Sequence, residues 1–215
     1  MEPEAGGVFP VKLYQISRDK FMSSEEVRQL LKVCEDQAII DQAKGRKTWV
    51  TRYVLVHLAL HSGLRVSELA ALNIGDLHLT GRETYLVVRS GKGGKRRDVY
   101  LDRGIVKHLK EYVAHKGKAW QEPVDGSAPL FMGRSGHFTE TALHLSFRKA
   151  VEAAGLSRRY SIHAARHTYA TILLAKTQNL RFVQKQLGHA SLNMTALYAD
   201  VLPEQNQDLA NAMAE

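Results

Sequence analysis

The chain has 215 residues, 44% of them hydrophobic, which is enough for one domain of good size with a real core and too apolar for a disordered chain. No apolar run reaches the ~18 residues of a membrane span, residues 1–10 lack the basic-then-apolar order of a signal peptide, and a single cysteine, Cys34, excludes an internal disulfide and the usual zinc clusters. These features read as a cytoplasmic protein that needs no metal or cofactor, while a net charge of +8 and a pI of about 9.6 suit a polyanion such as nucleic acid, although charge alone fits a basic protein without such a partner equally well.

Residues 1–20 have little periodicity and read as a flexible lead-in to a single domain over residues 21–215. Ser23 and Glu26 form a capping box, and Val27, Leu30, Leu31 and Cys34 follow at helical spacing, so a helix is expected to about residue 43. Residues 48–61 read as a second helix, stopped by Gly63 as a C-terminal cap, and a short third helix starts near Ser67. Period-two patterns then predict strands at residues 84–89 and 97–101 around a glycine turn, with a third strand at residues 75–79. Residues 105–115 read as a helix and 116–129 as a loop rich in glycine and proline. Helical patterns follow at 139–154, 163–174, 180–187, 191–198 and 203–214. The expected fold class is mainly α with a small antiparallel β-sheet.

Charge is unevenly placed. The fifteen residues from Arg89 to Arg103 hold six basic and two acidic side chains, a net +4, whereas four acids and no lysine or arginine follow Tyr198. Lys95, Arg96 and Arg97 within the basic stretch are expected to track a phosphate backbone, a kind of contact that positions a protein without reading sequence.

Taken singly, the polar candidates each have an ordinary explanation. Arg65, between a glycine cap and a new helix, can aim a guanidinium into a cleft or lie on the surface. Lys92, in Gly91-Lys92-Gly93-Gly94-Lys95, can touch phosphate or be a solvated turn lysine. His163 and Arg166 are three apart at a helix start, so they share a face that can hold an anion; a capping histidine and a surface arginine would look the same. His189 follows the stop Leu187-Gly188, a common place for histidine. Tyr198 lies near the end of the next short helix, where most tyrosines simply pack.

Together they form an ordered set. Ser62-Gly63-Leu64-Arg65-Val66-Ser67-Glu68-Leu69, the Lys92 turn, His163-Ala164-Ala165-Arg166-His167-Thr168, Leu187-Gly188-His189-Ala190-Ser191 and the later Tyr198 resemble the motifs of the tyrosine recombinases and phage-type integrases, with Xer-type and integron integrases the nearest in look. The likeness runs from about Phe21 to Leu202. It departs from the family at Ala165, where a larger apolar residue is usual, and in the N-terminal core-binding domain, which this sequence is expected to lack.

The resemblance implies a DNA breaking–rejoining catalytic-domain fold, double-stranded DNA as partner, and strand exchange through a 3′-phosphotyrosine at Tyr198. It implies that Arg65 and Arg166 hold the scissile phosphate, that Lys92 protonates the leaving 5′-oxygen, that His163 accepts the phenolic proton, that His189 hydrogen-bonds the phosphate, and that Glu68 orients a basic neighbour. It also implies that a C-terminal helix at 203–214 docks on a neighbouring subunit of a homotetramer on DNA; packing on its own domain is the equal alternative. The competing functions are a catalytically silent accessory DNA-binding protein and a phosphatase or nuclease that releases its product.

Overall fold

The structure, a computed structural model, describes residue 17 and residues 20–89, 96–133 and 136–199. The lead-in at 1–16, Lys92, Lys95 and the expected helix at 203–214 lie outside the described residues.

Helix α1 (Ser24–Ala43) opens on the expected capping box: Ser23 Oγ accepts from the Glu26 amide at 3.1 Å, and Glu26 Oε2 accepts from the Ser23 amide at 2.7 Å. Its C-terminal end is tied to α2 (Thr48–Ser62) by the buried Asp41, which accepts from the Trp49 amide at 2.8 Å and pairs with Arg46 at 2.8 Å. α2 is the central helix. Val54, Leu55, Val56, Leu58, Ala59 and Leu60 are all buried, as a helix apolar on every side requires, and α1, α4, α5 and α6 pack around it.

After α3 (Val66–Ala70) and a 3₁₀ turn at Ile74–Asp76, strands β1 (Leu77–His78), β2 (Tyr85–Val88) and β3 (Arg97–Tyr100) form an antiparallel sheet in the order β1-β2-β3, with Leu86 opposite both Leu77 and Val99. Helices α4 (Arg103–Ala119), α5 (Glu140–Ala153), α6 (Ile162–Thr177), α7 (Leu180–Leu187) and α8 (Asn193–Ala196) complete the fold. The expected class, mainly α with a small antiparallel sheet, is what the chain adopts. No helix among the described residues is long and apolar enough to cross a membrane.

Two expectations need correction. Helix α4 continues past residue 115 to Ala119, through Gly117. Tertiary contact overrides the glycine there: Trp120 packs edge-on against Tyr112 and His115, and the Lys116 side chain is fully buried with its Nζ 2.6 Å from Glu122 Oε2. Between the loop at 116–129 and the helix from 139, where no element was expected, β4 (Met132–Gly133) and β5 (Gly136–His137) pair antiparallel; strands of two residues are too short to show a period.

Two buried clusters divide the interior. The larger joins α1–α5, the sheet and the start of α6; the smaller gathers Phe21, Tyr169, Ala170, Leu174, Val183, Leu187 and Tyr198. Because α6 runs through both, its N-terminal turns lie where the large core meets the α7–α8 unit.

Glu122 is the counter-ion of the buried Lys116 and also pairs with the exposed Lys47. Glu122→Gln leaves that ammonium opposite a neutral amide and is expected to lower the unfolding free energy in urea by about 3 kcal/mol. Lys47→Gln is expected to cost less than about 1 kcal/mol. Equally small losses in both variants would show that the Lys116 pair is solvated.

Candidate active site

The site begins with a glycine. Gly63 ends α2 at φ +60°, and a Cβ there would run into the Tyr169 ring and come within 2.9 Å of Leu187 Cδ2, so both conformation and space require glycine. The chain then extends through Arg65 (φ −71°, ψ 155°) and turns into α3. Glu68, one turn on, accepts from the Arg65 amide through Oε2 and from Arg65 Nη1 through Oε1, both at 2.8 Å. One carboxylate thereby starts the helix and aims the guanidinium.

Arg166, on the second turn of α6, is only 8% exposed. Its Nη1 donates to the carbonyl of Gly63 and its Nη2 to the carbonyl of Leu187 at 2.8 Å. These are the last residue before Arg65's strand-like entry and the last residue of α7, so a single guanidinium joins three segments distant in sequence. Burial, with the positive charge of Arg65 nearby, pulls the Arg166 pKa down to about 10, which leaves it a cation at neutral pH.

His189 follows Gly188, which closes α7 at φ +64°. Its Nδ1 lies 3.0 Å from Thr195 Oγ1 on α8. Burial first, then Arg166, Arg65 and Arg97, press its pKa down to about 4, so the ring is neutral at pH 7. His163, in the first turn of α6, is exposed; its ring centroid is 5.5 Å from that of His144, and burial followed by His144 and Arg166 lowers its pKa.

Tyr198 is stowed. It is 3% exposed within the smaller cluster, its ring is stacked on His189 at 6.3 Å and 9°, and its hydroxyl is 3.0 Å from His167 Nδ1. The phenol's partner is therefore His167, the residue after Arg166, and not His163. Burial and the charges of Arg166, Lys20 and His163 lower the His167 pKa.

Arg97 occupies a place other than the outward basic face expected of it. Its side chain is 11% exposed, with Nη1 2.8 Å from Glu68 Oε1, Nη2 2.7 Å from Glu68 Oε2, and Nε 3.1 Å from the Gln186 carbonyl. Arg96 does point outward, 68% exposed and 4.0 Å from Asp98. Burial alone would raise the Glu68 carboxyl, but hydrogen bonds from Arg97 and Arg65 outweigh it and hold the pKa at about 2. Arg65, Arg97 and Arg166 against one carboxylate leave this cluster with a net charge of +2.

The structure thus brings Arg65, Glu68, Arg166, His189 and Tyr198 together, with His163 at the edge. His167 was not singled out from sequence, and Arg97 was expected to track a phosphate backbone rather than to enter the site. The signal for Arg97 was present: alternation along β3 puts it on the same face as the buried Val99.

Known proteins resemble the chain both in sequence and in fold. The family described as Phage integrase family matches residues 20–205. The tyrosine recombinase XerD of Rhizobium meliloti (strain 1021) is 33% identical over 196 residues, covering 88% of this chain and 60% of the relative; the tyrosine recombinase XerC of Myxococcus xanthus is 32% identical over 206 residues, covering 92% and 68%. The chain spans about two thirds or less of most such relatives. In three dimensions it superposes on the crystal structure of XerA recombinase with a TM-score of 0.71 at 26% identity, covering 94% of this chain and 66% of the other. It superposes equally well, at 0.71 and 25% identity, on a XerH site-specific recombinase bound to difH substrate in a pre-cleavage complex, covering 98% and 57%. From the glycine-capped arginine to the buried tyrosine, the chain is a member of the phage integrase family of tyrosine recombinases.

Proposed function

We propose that this chain cleaves and rejoins double-stranded DNA by transesterification, with Tyr198 as nucleophile and a 3′-phosphotyrosine intermediate. The observation that carries the reading is Arg166 bound to the carbonyls of Gly63 and Leu187, which fixes the Arg65, Arg166 and His189 motifs around one spot. Such a reaction stores the phosphodiester energy in the covalent link and rejoins without another energy source.

Charge governs the site. A phosphodiester carries one negative charge, and a pentacoordinate transition state carries about two, so a +2 cluster gains most when the bond is half made. Guanidinium suits the work because it is planar, always charged and able to bond paired oxygens. Arg166 has Nε and one hydrogen on each terminal nitrogen beyond those given to the two carbonyls, and Arg65 is partly exposed. A neutral His189 donates a hydrogen bond to a non-bridging oxygen without adding charge. Lys92, in the sequence between β2 and β3, delivers the proton to the leaving 5′-oxygen.

Tyrosine is a weak nucleophile near neutrality, with a free pKa of ~10. The buried phenol has a hydrogen-bond partner ready in His167, the residue after Arg166. The helix expected at 203–214 links subunits of a tetramer on two duplexes, a head-to-tail contact that closes into a ring. The chain acts on its DNA in the cytoplasm.

A pool of nicked duplexes with randomised sequence around the nick is expected to yield a protein–DNA adduct on denaturing gels, because loss of the short 5′-hydroxyl fragment blocks religation. Tyr198→Phe should abolish it. Binding without an adduct would indicate the accessory role, and multiple turnover to free ends a nuclease.

Arg65→Ala and Arg166→Ala are each expected to slow adduct formation by about a hundredfold or more, equivalent to roughly 3 kcal/mol. Rates near wild type in either would remove that guanidinium from the site. The dependence on pH has a definite sign. A histidine accepts a proton only when neutral, and the His167 pKa lies below its usual 6.5. The adduct rate should therefore hold level from about pH 8 to about 6.5 and fall only below that. A fall beginning above about pH 7 would contradict a depressed histidine as the acceptor.

A further inference from the structure

The hairpin arginine Arg97 sits where three parts of the cluster meet. Its two terminal nitrogens clamp both oxygens of Glu68, whose side chain is 4% exposed, while its Nε holds the carbonyl of Gln186. Its stem lies flat on Gly188: a Cβ on that glycine would come within 2.8 Å of Arg97 Cδ and 2.9 Å of Nε. Gly188 is the residue before His189, and Glu68 is the carboxylate on Arg65. Arg97 itself follows, two residues on, the segment that carries Lys92 and Lys95.

We infer that Arg97 is a positioning residue for strand cleavage, acting through Glu68 on Arg65 and through the Gln186–Gly188 turn on His189, and that it makes no contact with the DNA backbone. The inference rests on the proposed strand-transfer reaction. Its physical basis is competition for one carboxylate. Glu68 accepts from the Arg65 amide and side chain on one side and from both terminal nitrogens of Arg97 on the other. With Arg97 present, the carboxylate's charge is shared between two guanidinium groups, and Arg65 retains positive charge for a phosphate. Without it, a buried carboxylate has Arg65 as its remaining guanidinium partner, and the two neutralise one another. The Gln186 carbonyl loses a donor at the same time, and the packing that requires Gly188 is gone.

Lysine cannot replace this geometry, because a point-charge ammonium cannot clamp two carboxylate oxygens and reach a third acceptor in the same plane. Arg97 is also poorly placed to meet DNA. Each of its three nitrogens is engaged inside the protein and its side chain is only 11% exposed, in contrast to the exposed Arg96 beside it.

The test uses the full chain with Arg97→Ala and Arg97→Lys, on a nicked duplex selected for adduct formation by the wild type. Affinity is measured as a function of salt, and adduct formation as a single-turnover rate at saturating DNA. Arg97→Ala is expected to slow the rate by about a hundredfold, with affinity and the slope of log affinity against log salt unchanged, and Arg97→Lys to recover only part of the loss. A backbone contact would do the reverse: it would lower the salt slope by about one and leave the saturated rate intact, and that result overturns the inference. A lower saturated rate with unchanged affinity separates positioning from a backbone contact, and partial recovery by the Lys variant, which keeps charge and bulk, separates positioning from simple loosening. The Lys variant also answers the question if the Ala variant does not fold. A wild-type chain that forms no adduct sinks the strand-transfer reading itself, whereas a wild-type adduct with an unimpaired Arg97→Ala sinks the positioning role alone.

Discussion

A guanidinium cannot be buried without acceptors, and the rest of this site follows from how Arg166 finds them. It takes the carbonyls of Gly63 and Leu187, the two residues where α2 and α7 come to their glycine stops. Helix ends leave carbonyls without partners, so the fold's unfinished ends supply what the buried cation needs. The consequence is geometric. Arg65 starts two residues after the first carbonyl and His189 two residues after the second, so satisfying one side chain sets the position of two others.

Electrostatics complete the arrangement. Three guanidinium groups close together would repel one another, and Glu68 relieves the strain for Arg65 and Arg97 together while leaving an excess of positive charge. That excess has two visible effects: it helps hold His189 neutral, and it keeps the Glu68 carboxylate ionised against its burial. A site built in this way is poised for an anion before one arrives, which is the preorganisation that the proposed strand transfer, with its weak phenol nucleophile, needs. The phenol meanwhile rests on His167 and His189 inside an apolar cluster.

Much of this was legible in the sequence because the signals are local. The Ser23–Glu26 capping box, the glycine stops at 63 and 188, and helix α7 at residues 180–187 all depend on neighbours within a few positions. The reach of α4 was not legible, since it depends on Lys116 meeting Glu122 and Trp120 meeting Tyr112 across a turn. The same distinction separates the site residues. Arg65, Arg166, His189 and Tyr198 stand in recognisable words, whereas the role of Arg97 depends on Glu68, 29 positions earlier in the chain, and a count of basic residues grouped it with Lys95 and Arg96 as a contact to the phosphate backbone. His167 was hidden by its neighbour: inside a motif that already offered a histidine and an arginine, only coordinates show which imidazole the phenol meets.

The central claim is that Arg65 and Arg166 converge on a single phosphate while Arg166 remains anchored to the chain. A crystal structure of the Tyr198→Phe variant on nicked duplex DNA tests it most directly. The account predicts the phosphate beside the nick within hydrogen-bond distance of both guanidinium groups, with Arg166 still bonded to the carbonyls of Gly63 and Leu187. A phosphate held by only one of the two arginines, or seated elsewhere on the surface, would contradict it.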